Sequence, residues 1–408
     1  MSNSTPSPEN EPFGARLRLL RTRRGMTREV IGGLVGKSAE WVKAVETGRL
    51  HQPKLDMLLR LAEALRIRDL AELTGDPGIP SRLFAGPGHP ALPAVRDAIN
   101  AVPWLDGPAE PIAVLRARLD AAWRARHASP DHRTVLGALL PALIRDCQRA
   151  VRAYEGDDGR SARAIMAGVW NLTQFFLAYQ PDPGLLWRVA ERSVAAAQEA
   201  DDPRAMGGAV WLLAQAHRDS GEFEAAAEVN RQALELLAPR LEDGGNEVAA
   251  IYGALLFEAA YTAARAGERG TAWGYWDQAA AVAGGLPAGY YDPMTSFSQV
   301  IMGAHAVTVA VEGRERRESL RQARRAENLP IPSAPRRGRH LIEIGRAHHL
   351  AGDAEAALGV LNAALRTAPE TIRYNGYARS MIAELASGGP AALRRDAADL
   401  AERIGVLT

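Results

Sequence analysis

Glu40 and Lys43 lie one helical turn apart, with Ala39 and Ala44 beside them. A carboxylate can accept from cytosine N4, an ammonium can donate to guanine O6 or N7, and alanine methyls suit the thymine methyl. Ser38 comes just before this group and Lys37 before Ser38. A serine at that place can cap a helix, so that the helix's positive end faces a phosphate. The chemistry on offer is the reading of a base-pair edge by a few polar side chains.

Such side chains need a short, exposed helix to carry them. Ser38 to Gly48 reads as one, with an N-cap at Ser38, Val42 and Val45 facing inward, and a glycine stop. Upstream, Thr27 to Gly36 reads as a second short helix, capped by Thr27. Two short helices joined by a tight turn form a helix-turn-helix, whose second helix can lie in the major groove. Trp41 is expected to pack against the first of the two.

The landmarks Leu17, Leu20, Gly25, Thr27, Ser38, Val45-Glu46-Thr47-Gly48 and the run Pro53 to Leu65 extend this reading over residues 14–73. That segment resembles the XRE-type DNA-binding domain, the Cro and phage-repressor class. The resemblance implies five helices, backbone contacts from Arg28 and Lys54, and a buried ion pair between Arg21 and Glu46. The departure is Ile31-Gly32-Gly33, where the family more often has Leu-Ala and a polar residue. Each glycine lowers helix propensity by roughly 1 kcal/mol relative to alanine, so the first helix depends on packing.

Charge supports the same segment. Residues 13–75 hold 13 Lys or Arg against 7 Asp or Glu, a balance of +6, whereas residues 76–408 hold 36 against 39, a balance of −3. A local excess of cations is the footprint a phosphate backbone selects, because each neutralised phosphate releases a counterion. The chain's three lysines, Lys37, Lys43 and Lys54, all lie here. The arginine and alanine excess elsewhere reads as the imprint of a GC-rich genome.

The length of 408 residues favours two domains, and 47% hydrophobic with 24% charged residues is ordinary for a globular protein. No apolar run reaches the ~18 residues of a membrane span, and the N-terminus lacks a signal-peptide core, so a cytoplasmic protein without membrane contact is expected. Cys147 stands alone, the nine histidines show no ligand spacing, and no cofactor is called for. Gly32 to Ser38 superficially resembles a phosphate-binding loop, but the required first glycine is Ile31. With no nucleophile elbow or paired catalytic carboxylates, an enzyme is not expected.

Four segments follow: a disordered tail at 1–12, the DNA-binding domain at 13–75, a connector at 76–108 and a helical-repeat domain at 109–408. The connector contains ten Gly or Pro between Thr74 and Pro103, with room for a short helix near Ala94 to Ala101. Beyond it, helix-period apolar residues recur with glycines at Gly221, Gly267, Gly313 and Gly352, spaced 46, 46 and 39 apart. Ile344, Gly345, His348, Gly352, Ala357, Leu361 and Pro369 fit the offsets of a tetratricopeptide unit, as do Leu213, Ala214, His217, Gly221, Phe223 and Ala226. The fold expected is all-α: a five-helix head followed by a tetratricopeptide-like solenoid, with an irregular helical bundle as the alternative.

The whole chain also resembles regulators of GC-rich actinobacteria, through Phe175 to Pro181, Ala263 to Gly267, Gly303 to Val309 and Arg339 to Glu343. That resemblance implies a transcription factor. Its partners would be double-stranded DNA, a second copy of the chain in a homodimer, and a peptide, protein or small-molecule effector in the repeat groove. Aromatics including Tyr179, Trp187 and Tyr261 concentrate in residues 179–291; most read as core, some as groove. The other reading is an interaction scaffold whose head has lost useful DNA affinity.

Overall fold

The computed structural model describes residues 13–50, 53, 55–65, 67, 73–74, 88–101 and 107–406, the side chains of 55 and 56 excepted. Among the described residues there are twenty α-helices, one 3-10 turn and no strand. They form two compact units that divide between residues 85 and 86. Lys54, the tail at 1–12 and most of the expected fifth head helix lie outside the described residues.

The first unit contains α1 (Phe13–Arg23), α2 (Arg28–Leu34), α3 (Ala39–Glu46) and α4 (Leu55–Ala64). Thr27 caps α2, its hydroxyl accepting from the Val30 amide at 3.3 Å; Ser38 caps α3 by accepting from Trp41 at 3.2 Å. Leu17, Ile31, Val42, Val45 and Leu61, one or two from each helix, are buried together. Burial of each such side chain contributes about 1.5–3 kcal/mol. Gly14 lets α1 approach the end of α3, since a Cβ there would stand 2.3 Å from the Val45 carbonyl oxygen.

The paired glycines of α2 differ in their surroundings. A Cβ on Gly32 would meet the Lys37 carbonyl oxygen at 2.7 Å, whereas one on Gly33 would meet nothing within 4 Å. Gly32 thus allows the turn to fold closely onto α2, and Gly33 only weakens the helix. Gly33→Ala is expected to stabilise the head by about 1 kcal/mol in denaturant titrations, and Gly32→Ala to bring no such gain.

The second unit opens with α5 (Leu92–Asn100), α6 (Ile112–Ala128) and α7 (His132–Ala153). Leu92, Val95, Ala98 and Ile99 of α5 are buried in the same core as Leu136 and Leu140 of α7. Residues 88–101, expected within a connector, are therefore packed into the body, because α5 presents an apolar stripe that needs a partner.

Antiparallel pairs follow: α8 (Gly156–Leu177) with α9 (Pro183–Ala200), α10 (Pro203–Asp219) with α11 (Phe223–Leu237), and α12 (Gly245–Ala266) with α13 (Arg269–Gly285). Then come α14 (Ile301–Glu312) with α15 (Arg316–Arg325), and α16 (Ala334–Ala351) with α17 (Ala354–Thr367). The chain ends in α18 (Pro369–Tyr374), α19 (Gly376–Ser387) and α20 (Ala391–Arg403). Gly221, Gly267, Gly313 and Gly352 each lie in the turn inside a pair. Three of them take positive φ, between 77° and 89°, which a side chain would resist.

The first helix of each pair packs on the first helix of the next, giving an inner layer of α6, α8, α10, α12, α14 and α16. This layer closes, because α16 also packs on α6. His127, at the end of α6, bonds the Pro293 carbonyl at 2.5 Å and the Ser333 hydroxyl at 2.8 Å. Glu370 of α18 accepts from the Arg133 amide at 2.5 Å and the Thr134 hydroxyl at 2.6 Å, at the start of α7. The repeats thus form one closed ring of helices.

Candidate nucleic-acid interface and a buried chamber

Two of the expected DNA-reading side chains stand together on α3. Glu40 and Lys43 are both exposed, with Lys43 Nζ 4.0 Å from Glu40 Oε1. An exposed pair at that distance is weak, so either partner can leave it for another. Lys37 is exposed as well and holds its ammonium 5.8 Å from the centre of the Trp41 ring. Trp41 itself is half-buried against the head core. Ser38 is exposed with its hydroxyl engaged as the cap, and Ala39 is half-buried at the first position of α3.

Ala44 differs from expectation. The sequence puts it beside Glu40 and Lys43 on the exposed face, but it is only 3% exposed, because it lies with Val45 and Glu46 on the buried side of α3. The chain after α3 folds back over it, the Leu50 amide donating to the Ala44 carbonyl at 3.0 Å. Its methyl is therefore part of the packing. Arg28, expected to contact phosphate, gives its Nε to Glu46 Oε2 at 2.7 Å, while a third of its side chain stays open to solvent.

Arg28 joins an ion pair that fixes the head. Arg21 Nε lies 2.5 Å from Glu46 Oε1, and Arg21 Nη1 donates to the Met26 carbonyl at 2.7 Å. The Glu46 side chain has no solvent-exposed surface. Burial alone would raise its pKa, but hydrogen bonds from Arg21 and Arg28 outweigh that and hold it below the usual carboxylate range. One carboxylate thereby ties the end of α3 to both α1 and α2.

In the body, the ring of inner helices lines a half-open chamber of about 560 Å³, with exposed Tyr179 and Asp219 in its wall. Tyr179, Trp187 and Tyr261 line it, whereas Trp273 and Trp276 belong to α13, where their rings meet at 5.7 Å. Arginines are the larger surprise. Arg126, Arg133, Arg218, Arg265, Arg336 and Arg339 all line the chamber, although composition had suggested that arginines outside the head were without chemical purpose. A signal was present in the spacing. Arg126 continues the buried stripe Leu115, Leu119, Ala122, and Arg218 continues Gly207, Trp211, Ala214. A charged residue in phase with an apolar stripe faces inward.

Three of the chamber's cations, Arg218, Arg265 and Arg339, are joined with Arg346 behind the lining in a relay of acids across α10, α12, α14 and α16. Glu258 pairs with Arg218, Arg218 with Asp219 at 3.1 Å, and Asp219 with Arg265 at 3.2 Å. Glu312 then receives Arg346 at 2.7 Å, and Glu343 receives Arg346 at 2.8 Å and Arg339 at 2.5 Å. Arg265 approaches Glu312 at 3.9 Å, so the relay is continuous. Glu312 feels burial as a raising influence, yet Arg346 and Arg265 hold it down at about 2. Cys147 is buried in the body core, which pushes its thiol up to about 12 and leaves it unreactive. No helix among the described residues is long and apolar enough to cross a membrane.

The comparisons agree with the head. The family described as a helix-turn-helix domain matches residues 12–74, so the first unit is a helix-turn-helix domain. No curated protein matches the chain. Among solved structures, BtubC from P. vanneervenii is 15% identical, with 63% of this chain and 91% of that one covered, at a TM-score of 0.38. ComR from S. thermophilus, solved with DNA and its signalling peptide ComS, is 16% identical over 64% of this chain and 99% of its own, at a TM-score of 0.23. PlcR from Bacillus thuringiensis, solved with the peptide PapR7 and DNA, is 10% identical over 86% and 99%, at a TM-score of 0.27. Likenesses this distant transfer no function.

Proposed function

We propose that this chain is a sequence-specific DNA-binding transcriptional regulator of XRE type, with α3 as its recognition helix. The observation that carries the proposal is the capped α2–α3 pair, which holds Glu40 and Lys43 exposed on one helix within a segment of charge +6. Lys43 donates to a guanine, Glu40 accepts from a cytosine, and Ala39 lies against the groove. Lys37, the solvent-facing part of Arg28 and Lys54 meet the phosphates, with the α3 N-terminus at Ser38 turned towards the backbone. A single head covers little surface, so the operator is read by a homodimer on two half-sites. The body, a tetratricopeptide-like repeat, supplies the dimer contact and receives a peptide, protein or small-molecule effector.

Fluorescence anisotropy with DNA from upstream of the protein's own gene, titrated in salt beside a scrambled competitor, tests the reading. Preferential binding that weakens with salt is expected. Lys43→Ala should lose about 1–3 kcal/mol of specific binding and relax the preference at one base pair. A protein lacking residues 1–85 that bound DNA as tightly as the full chain would overturn the assignment.

A further inference from the structure

Three of the chamber's arginines, Arg126, Arg133 and Arg336, form no ion pair with a described residue, and of these Arg133 still donates to the Ala178 carbonyl at 3.0 Å. The Arg336 guanidinium makes no hydrogen bond or ion pair with any described residue, and its Nε is sealed from solvent. Arg126 is 5% exposed, and its Nε is likewise without a partner among the described residues. With Tyr291 as a further polar neighbour, its one hydrogen-bonding contact among the described residues is His127 Nδ1 at 3.4 Å. That ring is uncharged at neutral pH: burial first, then the charge of Arg126, pushes His127 down to about 4. The Arg126 guanidinium instead stands 4.1 Å from the centre of the Phe175 ring.

The two cations share one region of the chamber. Arg126 is pushed down to about 9, chiefly by burial, with Arg336 and Arg133 close enough to add to the shift. The acids that line the chamber, Asp219 and Glu343, are in contact with Arg218, Arg265, Arg339 and Arg346, and Glu343 attracts Arg336 only from beyond ion-pair distance. Gln174 Nε2 and Gln215 Nε2, also in the lining, are buried donors without acceptors. A chamber with surplus donors, in which Arg126 and Arg336 touch no carboxylate among the described residues, is short of negative charge beside them. The walls beside them are apolar: Phe175, Leu212, Phe257 and Ile301.

We infer that the chamber binds an amphiphilic carboxylate, its anionic end held by Arg126 and Arg336 and its apolar body lying against Phe175, Leu212, Phe257 and Ile301. A guanidinium fork matches a carboxylate in two parallel hydrogen bonds, and the amides of Gln174 and Gln215 supply further donors. The volume suits a ligand of small-molecule size. A free organic acid and the C-terminus of a short apolar peptide both present this chemistry. The inference rests on the proposed reading of the body as an effector domain only for what the ligand does to DNA binding.

The test uses the full chain without DNA, with calorimetric titration and thermal unfolding as readouts. The probes are 2-naphthoate against 2-naphthalenemethanol, and an apolar pentapeptide with a free C-terminus against its C-terminal amide. At least one carboxylate should bind tenfold or more tightly than its neutral counterpart, and which one does so identifies the source. In the Arg126→Met/Arg336→Met double variant that preference should vanish, while the ligand-free protein unfolds at a higher temperature because two buried charges without a contacting acid have left the interior. Equal binding of charged and neutral probes, or absence of binding by all four, would overturn the inference. So would a preference that survives the double substitution, or a double variant less stable than the parent. Carboxylate binding by a protein that ignores DNA would overturn the regulator and leave the chamber's role standing.

Discussion

Glu46→Gln is expected to unfold the head while leaving the body folded. The substitution removes the one negative charge shared by Arg21 and Arg28, and Arg21 is only 11% exposed along its side chain. Removing one partner of a buried pair costs about 3–5 kcal/mol, since the remaining charge stays in the interior without compensation. A domain of about 60 residues is only marginally stable, so a loss of this size is most of what it has. Differential scanning calorimetry should show the head transition displaced far down in temperature, with specific DNA binding lost alongside it. The same carboxylate gives a pH dependence. Its pKa is lowered in the folded head from an ordinary 4.5, so its stabilisation is complete above that value and is lost as the pH falls below it. An unchanged head transition in Glu46→Gln would show that the pair contributes nothing.

The second large effect is expected at Glu370. Asp131, at the start of α7, makes no side-chain cap, and the first turn of that helix is capped instead from the far end of the chain. Glu370 accepts from the amides of Arg133 at 2.5 Å and Thr134 at 3.2 Å, and from the Thr134 hydroxyl at 2.6 Å. It is 6% exposed, and His89 Nε2 lies 3.4 Å from it. Glu370→Ala leaves buried amides without acceptors and removes an anion from a helix N-terminus. Each unsatisfied amide costs about 1–3 kcal/mol, so a loss of about 3 kcal/mol or more is expected in the body's unfolding. Glu370→Gln, which keeps one acceptor oxygen, should lose less. A body as stable in Glu370→Ala as in the parent would mean that the ring is held shut by apolar packing alone.

Much of the head was legible because its signals are local. Thr27 and Ser38 sit where a capping hydroxyl belongs, and the structure shows both accepting from the amide three residues on. The burial of Ala44 was less legible, since a small residue on a short helix fits either face, and the fold-back at Leu50 decides it. In the body, a glycine in the turn marks four of the five pairs, the turn between α8 and α9 having none. Closure was out of reach: the bond from Glu370 to Arg133 spans 237 positions, and no periodicity reports the accumulated curvature of several repeats. The relay of arginines and acids was hidden for a related reason. Arg339 and Arg346 share Glu343 on their own helix, but Arg218, Arg265 and Arg346 also reach Glu258, Asp219 and Glu312 on neighbouring pairs.

The closed ring also bears on how the body comes to exist. A linear stack of repeats can assemble from any point, each pair supported by its neighbour alone. Here α6 and α7 reach their full set of partners only when α16 and α18 arrive, more than 200 positions later. Contacts so distant in sequence slow folding, because a long loop must be closed before they stabilise anything. During synthesis the early pairs can form, but the chamber's lining is incomplete until Thr371, Asn375 and Tyr377 have emerged. Until the ring closes, Arg126 lacks Arg336, its companion in the chamber, so the proposed anion site exists only in the complete body.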